Sequence, residues 1–196
     1  MNLPNKLTVL RICLVPFMVA ALLIEALPHR FLIAGLIFGL ASLTDLFDGK
    51  IARKHNLITS FGKFADPLAD KILVISAFCC FVDLRIISSV AVILVLFREF
   101  AVTSVRLAAA QSGKVVAANF WGKAKTVSQM TAIIVIFVLQ YFIELCNMKI
   151  IPLILDNSVF QAIYIVDNVC VWISVALTVI SGIIYIKDNF KYINNM

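Results

Sequence analysis

Charged residues are scarce in this chain of 196 residues, and acidic residues are the scarcer kind. Charged side chains make up 14% of the sequence, only 11 residues are acidic, and the mean hydropathy is +1.03. The chain is 62% hydrophobic, whereas globular domains are about 45–50% apolar. This composition excludes an ordinary soluble domain and indicates an integral membrane protein.

Cysteine pairs and histidine clusters are also missing. The two histidines, His29 and His55, are far apart, and neither has other ligand-type residues at metal-binding spacing. No C-x-x-C pair occurs among the five cysteines, which lie in apolar stretches: Cys13, Cys79, Cys80, Cys146 and Cys170. We expect them to serve as small hydrophobic side chains, not as disulfides or zinc ligands.

The chain also lacks linkers, repeats and low-complexity tracts, so we expect one membrane domain over residues 1–196. About 20 apolar residues are needed to cross roughly 30 Å of hydrocarbon. Six stretches meet that length: residues 8–27, 31–49, 65–84, 86–109, 126–147 and 168–187. The sequence therefore predicts an all-α, polytopic membrane protein with six transmembrane helices.

Two apolar stretches need a separate interpretation. The first is longer than the apolar core of a signal peptide and is interrupted by Arg11 and Pro16, so we expect a retained span. Residues 150–166 are interrupted by Pro152, Asp156 and Asn157. We expect this second stretch to be an interfacial or re-entrant segment instead of a seventh span.

Lysine and arginine are distributed unevenly between the two ends of the predicted spans. Fourteen of the 17 fall on the side that holds both termini, and the other side has only Arg30, Arg85 and Lys149. The positive-inside rule then places both termini in the cytoplasm. For most of these cations the simpler interpretation is that they set the topology and bind anionic lipid headgroups.

Four of the acidic residues fall within 26 residues, on the side predicted to be cytoplasmic. Asp45 and Asp48 are three positions apart, and Asp66 and Asp70 are four apart, so each pair shares one face of a helix. A short reversal would point both pairs at one gap, where four like charges need cations between them. Oxygen ligands without sulfur or imidazole suit Mg²⁺ or Mn²⁺. The pattern predicts a centre for two divalent ions.

The residues between the acids suit a phosphorylated ligand. Gly49 and Ala52 leave the helix surface small, Arg53 offers a fork for phosphate oxygens, and Gly62 allows close helix packing. Taken singly, each has a simpler explanation, such as capping, packing or an arginine that snorkels to the interface.

Together these residues fill every fixed position of the pattern D-x2-D-G-x2-A-R-x8-G-x3-D-x3-D, over residues 45–70. At this motif the chain resembles the CDP-alcohol phosphotransferase family. Three further stretches are similar to the branch of that family that makes phosphatidylglycerophosphate: Pro-Asn-Lys-Leu-Thr-Val-Leu-Arg at 4–11, Arg-Glu-Phe at 98–100 with Arg106, and Gly-Lys-Ala-Lys-Thr at 122–126 with Gln129 and Met130. The resemblance covers roughly residues 3–131.

The resemblance implies six membrane helices around a polar cavity open to the cytosol, usually in a homodimer. It implies transfer of a phosphatidyl group from CDP-diacylglycerol to sn-glycerol 3-phosphate with release of CMP. We expect the cell (inner) membrane of a bacterium as its location, membrane lipid as its surroundings and no nucleic-acid partner.

Within this reaction we assign Asp45, Asp48 and Asp66 to metal ligation. Asp70 is our general base and a further metal ligand. The residues expected near the nucleotide of the donor are Gly49, Ala52, Arg53, Gly62, Asn5 and Thr8. For Asn5 and Thr8 the alternative is helix capping.

The phosphate of the acceptor needs a basic pocket, because the aspartates would repel it. Its candidates, in a region of about residues 98–130 and on the first helix, are Arg106, Lys125, Lys123, Arg11 and Arg98. Lys123 and Lys125 flank Ala124 and should not share one helix face. Arg98 has an alternative role as a structural ion pair with Glu99.

Other functions stay open at this point. The alternative within the family is a different acceptor, namely inositol phosphate, serine or a second phosphatidylglycerol. From other classes, an ion-coupled transporter would use the aspartates as a cation path, but it does not explain Gly49, Ala52 and Arg53. A structural scaffold explains neither the acids nor the basic residues.

Overall fold

A computed structural model describes residues 2–54, 60–111, 120–152 and 156–190, without the side chains of 46–54 and of a few other helical residues. All regular structure in these ranges is helical, which confirms the all-α prediction. The six helices are α1 (Leu3–Leu23), α2 (Arg30–Lys54), α3 (Ser60–Asp83), α4 (Ser89–Gln111), α5 (Phe120–Asn147) and α6 (Asn157–Asn189).

Helix α1 begins earlier than the apolar run suggested. Asn2 is the N-cap residue with extended backbone, and Pro4 lies in the first turn, where a missing N–H costs nothing. Asn5 and Thr8 are therefore inside the helix. The N-cap position itself belongs to Asn2 and not to either of them.

Helix α6 is the longest, with 33 residues, and it also begins earlier than expected. The Asp156 carboxylate accepts a hydrogen bond from the Asn157 N–H at 2.8 Å and caps the helix. The prediction of a separate segment over 150–166 is thus wrong for residues 157–166, which continue into the last span. Asp156 starts the helix instead of interrupting an apolar stretch.

Three helices in the described ranges are long and apolar enough to cross a membrane: Asn5–Leu23, Phe120–Asn147 and Asn157–Asn189. Large apolar side chains also face outward on helices that carry more charge. On α4, Phe97 is 75% exposed and Phe100 is 68% exposed. Such surfaces suit lipid, and the chain is a membrane protein.

The helices pack in two groups joined through the centre. Helix α1 packs against α2 and α3, α6 packs against α5 and α4, and α2 contacts α5. At the junction the Phe137 ring lies 5.3 Å from the Phe81 ring and 5.7 Å from the Phe38 ring, measured between centroids. These aromatic contacts join the two groups of helices at the centre of the bundle.

At one end of the bundle, α3 and α5 end in tightly closed turns. After α3 the N–H of Ile86 bonds to the Phe81 carbonyl, and Arg85 adopts a left-handed backbone with φ of 58°. The same pattern of bonds follows α5, with Lys149 at φ of 58°. These Schellman closures stop the helices sharply although neither residue is glycine. The candidate site lies at the opposite end.

Candidate active site

Arg11 lies at the centre of a group of aspartates contributed by two other helices. Its side chain is completely buried, and its Nη1 contacts the carboxylates of both Asp45 on α2, at 3.1 Å, and Asp70 on α3. Its Nε donates to the Thr44 hydroxyl at 3.3 Å. A single nitrogen atom of Arg11 thus contacts one acid from each predicted pair.

One turn before Arg11, helix α1 also contacts a third aspartate, Asp66. The Thr8 hydroxyl donates to the Asp66 carboxylate at 2.6 Å, and Thr8 is fully buried. Asn5, also buried, lies on the same side of α1. We call Asp45, Asp66 and Asp70 the aspartate group. Thr8 and Arg11 thus contact all three aspartates from one face of α1, and Asn5 lies on the same face.

The remaining residues of the motif are only partly described. Asp48, Gly49, Ala52 and Arg53 lie on helix α2, but their side chains are outside the described residues. Gly62 is buried in the first turn of α3. Within the described part of the chain, no three acidic, histidine or cysteine side chains are close enough to form a complete metal site. The donor set of the group consists of carboxylate oxygens, which fits Mg²⁺ or Mn²⁺.

A cavity of about 600 Å³ opens beside the aspartate group, between α3, α4 and α5. Asp70 lines it from α3, and the cations Lys71, Arg98, Arg106, Lys123 and Lys125 line it from three helices. We call it the basic cavity. Four of the five candidates for the acceptor phosphate border it. The fifth, Arg11, is held within the aspartate group.

The lysines of the Gly-Lys-Ala-Lys-Thr stretch differ in burial. Lys123 is exposed and Lys125 is buried, yet both line the basic cavity. The expectation that two lysines flanking Ala124 would not share a face holds for their helix. Both lysines nevertheless line one cavity, because the cavity extends around the beginning of α5.

Glu99 links several of these cations, and only its pairing with Arg98 was considered from the sequence. Its buried carboxylate contacts Lys125 of α5, the neighbouring Arg98 at 3.0 Å and Lys71 of α3 at 3.8 Å. The ion pair between Arg98 and Glu99 that was considered as an alternative is therefore present. Arg98 lines the cavity as well, so the two interpretations are compatible.

Helix α6 supplies contacts to both arginines of α4. The Arg98 Nη2 donates to the Ser181 hydroxyl at 2.9 Å, and the Arg106 guanidinium lies 5.9 Å from the centre of the Tyr185 ring. Sequence reasoning missed these α6 residues and Lys71. The available signal was the row of small polar residues, such as Ser174 and Thr178, in an apolar span.

Asp70 lies where the two parts of the site meet. Its side chain is half exposed, it contacts Arg11 of the aspartate group, and it lines the basic cavity. A ligand in the cavity that carries both an anionic group and a hydroxyl could therefore place the anionic group near the cations and the hydroxyl near the Asp70 carboxylate. This arrangement suits the binding of a phosphorylated alcohol and the removal of its proton.

The comparison with known proteins agrees with this chemistry. A family model described as CDP-alcohol phosphatidyltransferase matches residues 1–180. The chain belongs to this family, which confirms the resemblance seen at the motif and identifies the protein as a membrane-bound phosphatidyltransferase.

Individual relatives are similar over nearly the whole chain. The CDP-diacylglycerol--glycerol-3-phosphate 3-phosphatidyltransferase of Bacillus subtilis (strain 168) is 38% identical over 97% of this chain and 96% of its own length. The protein of the same name from Rickettsia bellii (strain RML369-C) is 36% identical over 97% of each. A probable phosphatidylglycerophosphate synthase of Mycobacterium tuberculosis (strain ATCC 25618 / H37Rv) is 41% identical over 67% of this chain and 64% of its own length.

Proposed function

We propose that the protein transfers the phosphatidyl group of CDP-diacylglycerol to sn-glycerol 3-phosphate, giving phosphatidylglycerophosphate and CMP. The observation that carries this proposal is the basic cavity, which joins Asp70 to the cations of α3, α4 and α5. The names of the relatives that are 36–38% identical over nearly the full chain support the same donor and acceptor.

The reaction needs a hydroxyl to attack a phosphorus atom that is already surrounded by negative charge. The hydroxyl oxygen of the acceptor forms a bond to the phosphorus of the phosphatidyl group, and the bond from that phosphorus to the oxygen of CMP breaks. The proton of the hydroxyl passes to the Asp70 carboxylate, which acts as the general base. Asp70 suits this role because it lines the cavity that would hold the acceptor.

The aspartates are the proposed holders of two divalent cations, Mg²⁺ or Mn²⁺. Asp45, Asp48 and Asp66 would bind them, with Asp70 as an additional ligand. When bound, such ions screen the charge of the diphosphate and stabilise the departing CMP. Arg11 also offsets part of the repulsion between Asp45 and Asp70.

Donor binding is assigned to the small and basic residues of the motif. Gly49, Ala52, Arg53 and Gly62 would border the nucleotide, and Asn5 and Thr8 would close that side from α1. The bond from Thr8 to Asp66 supports a place for α1 beside the nucleotide. The phosphatidyl chains would extend into the surrounding lipid.

The acceptor phosphate is assigned to the basic cavity. Arg98, Arg106, Lys123 and Lys125 border it, and Glu99 offsets only part of their charge. The contacts of Arg11 favour a role in holding the aspartate group over direct binding of the acceptor.

The proposed setting is the cytoplasmic side of a bacterial inner membrane. All six helices would span the bilayer as a single domain, with both termini and the basic cavity facing the cytoplasm. The excess of lysine and arginine on that side supports the orientation. We also propose a homodimer, as is usual in the family.

The test is release of CMP by the purified protein. CDP-diacylglycerol is offered with sn-glycerol 3-phosphate, inositol 1-phosphate, serine or phosphatidylglycerol, with Mg²⁺ or with a chelator. We expect rapid release only with glycerol 3-phosphate, loss of release with chelator, and recovery with added Mg²⁺ or Mn²⁺. Faster release with another acceptor would assign the protein to a different branch of the family.

A further inference from the structure

The last turns of α6 contact both arginines of the basic cavity. Ser181 is fully buried and accepts a hydrogen bond from Arg98 at 2.9 Å, and Tyr185, 4% exposed, places its ring 5.9 Å from the Arg106 guanidinium. The family model matches residues 1–180, so these residues lie beyond the matched part. None of them was a candidate for the site from its sequence.

Gly182 lies directly against the side chain of Arg98. A Cβ atom at Gly182 would be 2.7 Å from the Arg98 Cγ, a distance that real Cβ atoms essentially never show. The nearest atom belongs to the stem of the arginine and not to its flexible end, so a methyl group there must displace the whole side chain. Gly39 on α2 offers a contrast, because a Cβ atom there meets nothing within 4 Å.

We propose that Ser181, Gly182 and Tyr185 form a seat on α6 that positions Arg98 and Arg106 to bind the phosphate of the acceptor. This inference rests on the proposed function of the basic cavity. Ser181 and Glu99 hold two nitrogen atoms of the Arg98 guanidinium, at 2.9 and 3.0 Å. The glycine lets α6 approach closely enough for the hydroxyl to reach. The ring of Tyr185 restrains Arg106 by a cation–π contact.

Positioning matters here because a guanidinium binds phosphate through a planar fork. An arginine that is already oriented loses less side-chain freedom when the phosphate arrives, and so it binds more tightly. The seat should therefore affect binding of the acceptor. It should not affect the donor, whose proposed contacts are on α1, α2 and α3.

The first experiment compares Gly182→Ala with Gly39→Ala as a matched control in another helix. For Gly182→Ala we expect the KM for glycerol 3-phosphate to rise on the order of tenfold, about the effect of one charge-assisted hydrogen bond. The KM for CDP-diacylglycerol and kcat at saturating acceptor should stay within about twofold of the parent values, as all three should for Gly39→Ala. If instead Gly182→Ala raises both KM values alike, the seat is only packing and the inference is overturned.

The second experiment removes the arginine. In an Arg98→Ala background the methyl group has no arginine to displace, so adding Gly182→Ala should not raise the acceptor KM further. A further rise of similar size in that background would contradict the inference. If Arg98→Ala alone leaves the acceptor KM unchanged, the acceptor role of Arg98 in the proposed function fails and the seat fails with it. By contrast, an unchanged acceptor KM in Gly182→Ala together with a raised acceptor KM in Arg98→Ala would overturn only the seat and leave the proposed function in place.

A third comparison tests the aromatic side of the seat. Tyr185→Leu removes the ring under Arg106, and we expect the acceptor KM to rise about two- to fivefold, the effect of one cation–π contact. Restoring the ring with Tyr185→Phe should recover most of that loss. Equal losses in both variants would show that the ring does not act on Arg106.

Discussion

Arg11 shows how one buried side chain can organise a site made of repelling charges. It is completely buried on α1, and its Nη1 contacts carboxylates from α2 and α3. Both carboxylates are themselves about half exposed, so they remain accessible to ligands while the guanidinium fixes their separation. The cation of α1 thereby holds Asp45 and Asp70 in place for the chemistry assigned to them.

Asp70→Asn is the direct test of the base. An amide keeps the size of the side chain but cannot accept the proton of the acceptor hydroxyl. We expect kcat to fall by about 10²–10⁴, the usual contribution of general base catalysis, with a nearly unchanged KM for CDP-diacylglycerol. The measurement is steady-state release of CMP with each substrate varied in turn.

The control for that variant is Asp83→Asn, at the exposed end of the same helix and far from the basic cavity. It should retain the parent values of kcat and KM. Comparable losses of kcat and donor binding in Asp70→Asn would remove the role of base from Asp70, because loss of the base lowers kcat far more than it weakens binding of the donor.

Among the residues of the site, the sequence predicted the acids better than it predicted their partners. The spacing of Asp45, Asp66 and Asp70 was sufficient to expect a shared site, since residues three and four apart lie on one helix face. The contact between Glu99 and Lys125 joins residues 26 positions apart on two helices. Only the packing of α4 against its neighbours determines such a pair.

Helices α5 and α6 are joined by polar contacts inside an apolar interface. Gln129 donates to the Thr178 hydroxyl at 3.1 Å, and Gln140 donates to the Asp167 carboxylate at 2.8 Å. Asp167 is completely buried, and its Oδ1 has no hydrogen-bond partner among the described residues. The bond from Gln140 satisfies the other oxygen, Oδ2, which would be costly to bury without a partner in this interface.

Gln140→Leu should accordingly weaken the pairing of α5 with α6. Removing the amide leaves the Asp167 carboxyl unsatisfied, which costs about 1–3 kcal/mol in unfolding free energy. Replacing both residues, as Gln140→Leu with Asp167→Leu, should recover part of that loss because no polar group is then left alone. Unfolding of the purified protein in mixed micelles by added SDS measures both variants.

A double variant that is less stable than Gln140→Leu alone would contradict this role of Gln140. It would mean that Asp167 stabilises the interface through contacts other than the one with Gln140.

The number of helices was predictable from the sequence, and their ends were not. Apolar runs of about 20 residues, the length that a bilayer requires, predicted the six helices that lie in the described ranges. The ends depend on capping, and here Asn2 and Asp156 begin α1 and α6 well before the apolar runs do. A polar residue beside an apolar stretch can interrupt a helix or start one, and only its hydrogen bonds distinguish the two.

For the whole molecule, the uneven distribution of lysine and arginine predicts its orientation. Single cysteines at Asn2 and at Lys149, in a variant without the five native cysteines, would lie at opposite ends of the bundle. With a membrane-impermeant maleimide added to intact spheroplasts, we expect labelling at position 149 and none at position 2 until the cells are opened. Labelling of position 2 in intact spheroplasts would reverse the proposed orientation.

The acidic side chains of α2 and α3 are proposed to hold divalent ions that act on the diphosphate of the donor. Anomalous diffraction from crystals grown with Mn²⁺ and CMP measures this directly. We expect two manganese peaks beside the carboxylates of Asp45, Asp66 and Asp70, next to the bound nucleotide. Bound CMP without a manganese peak at these carboxylates would contradict it.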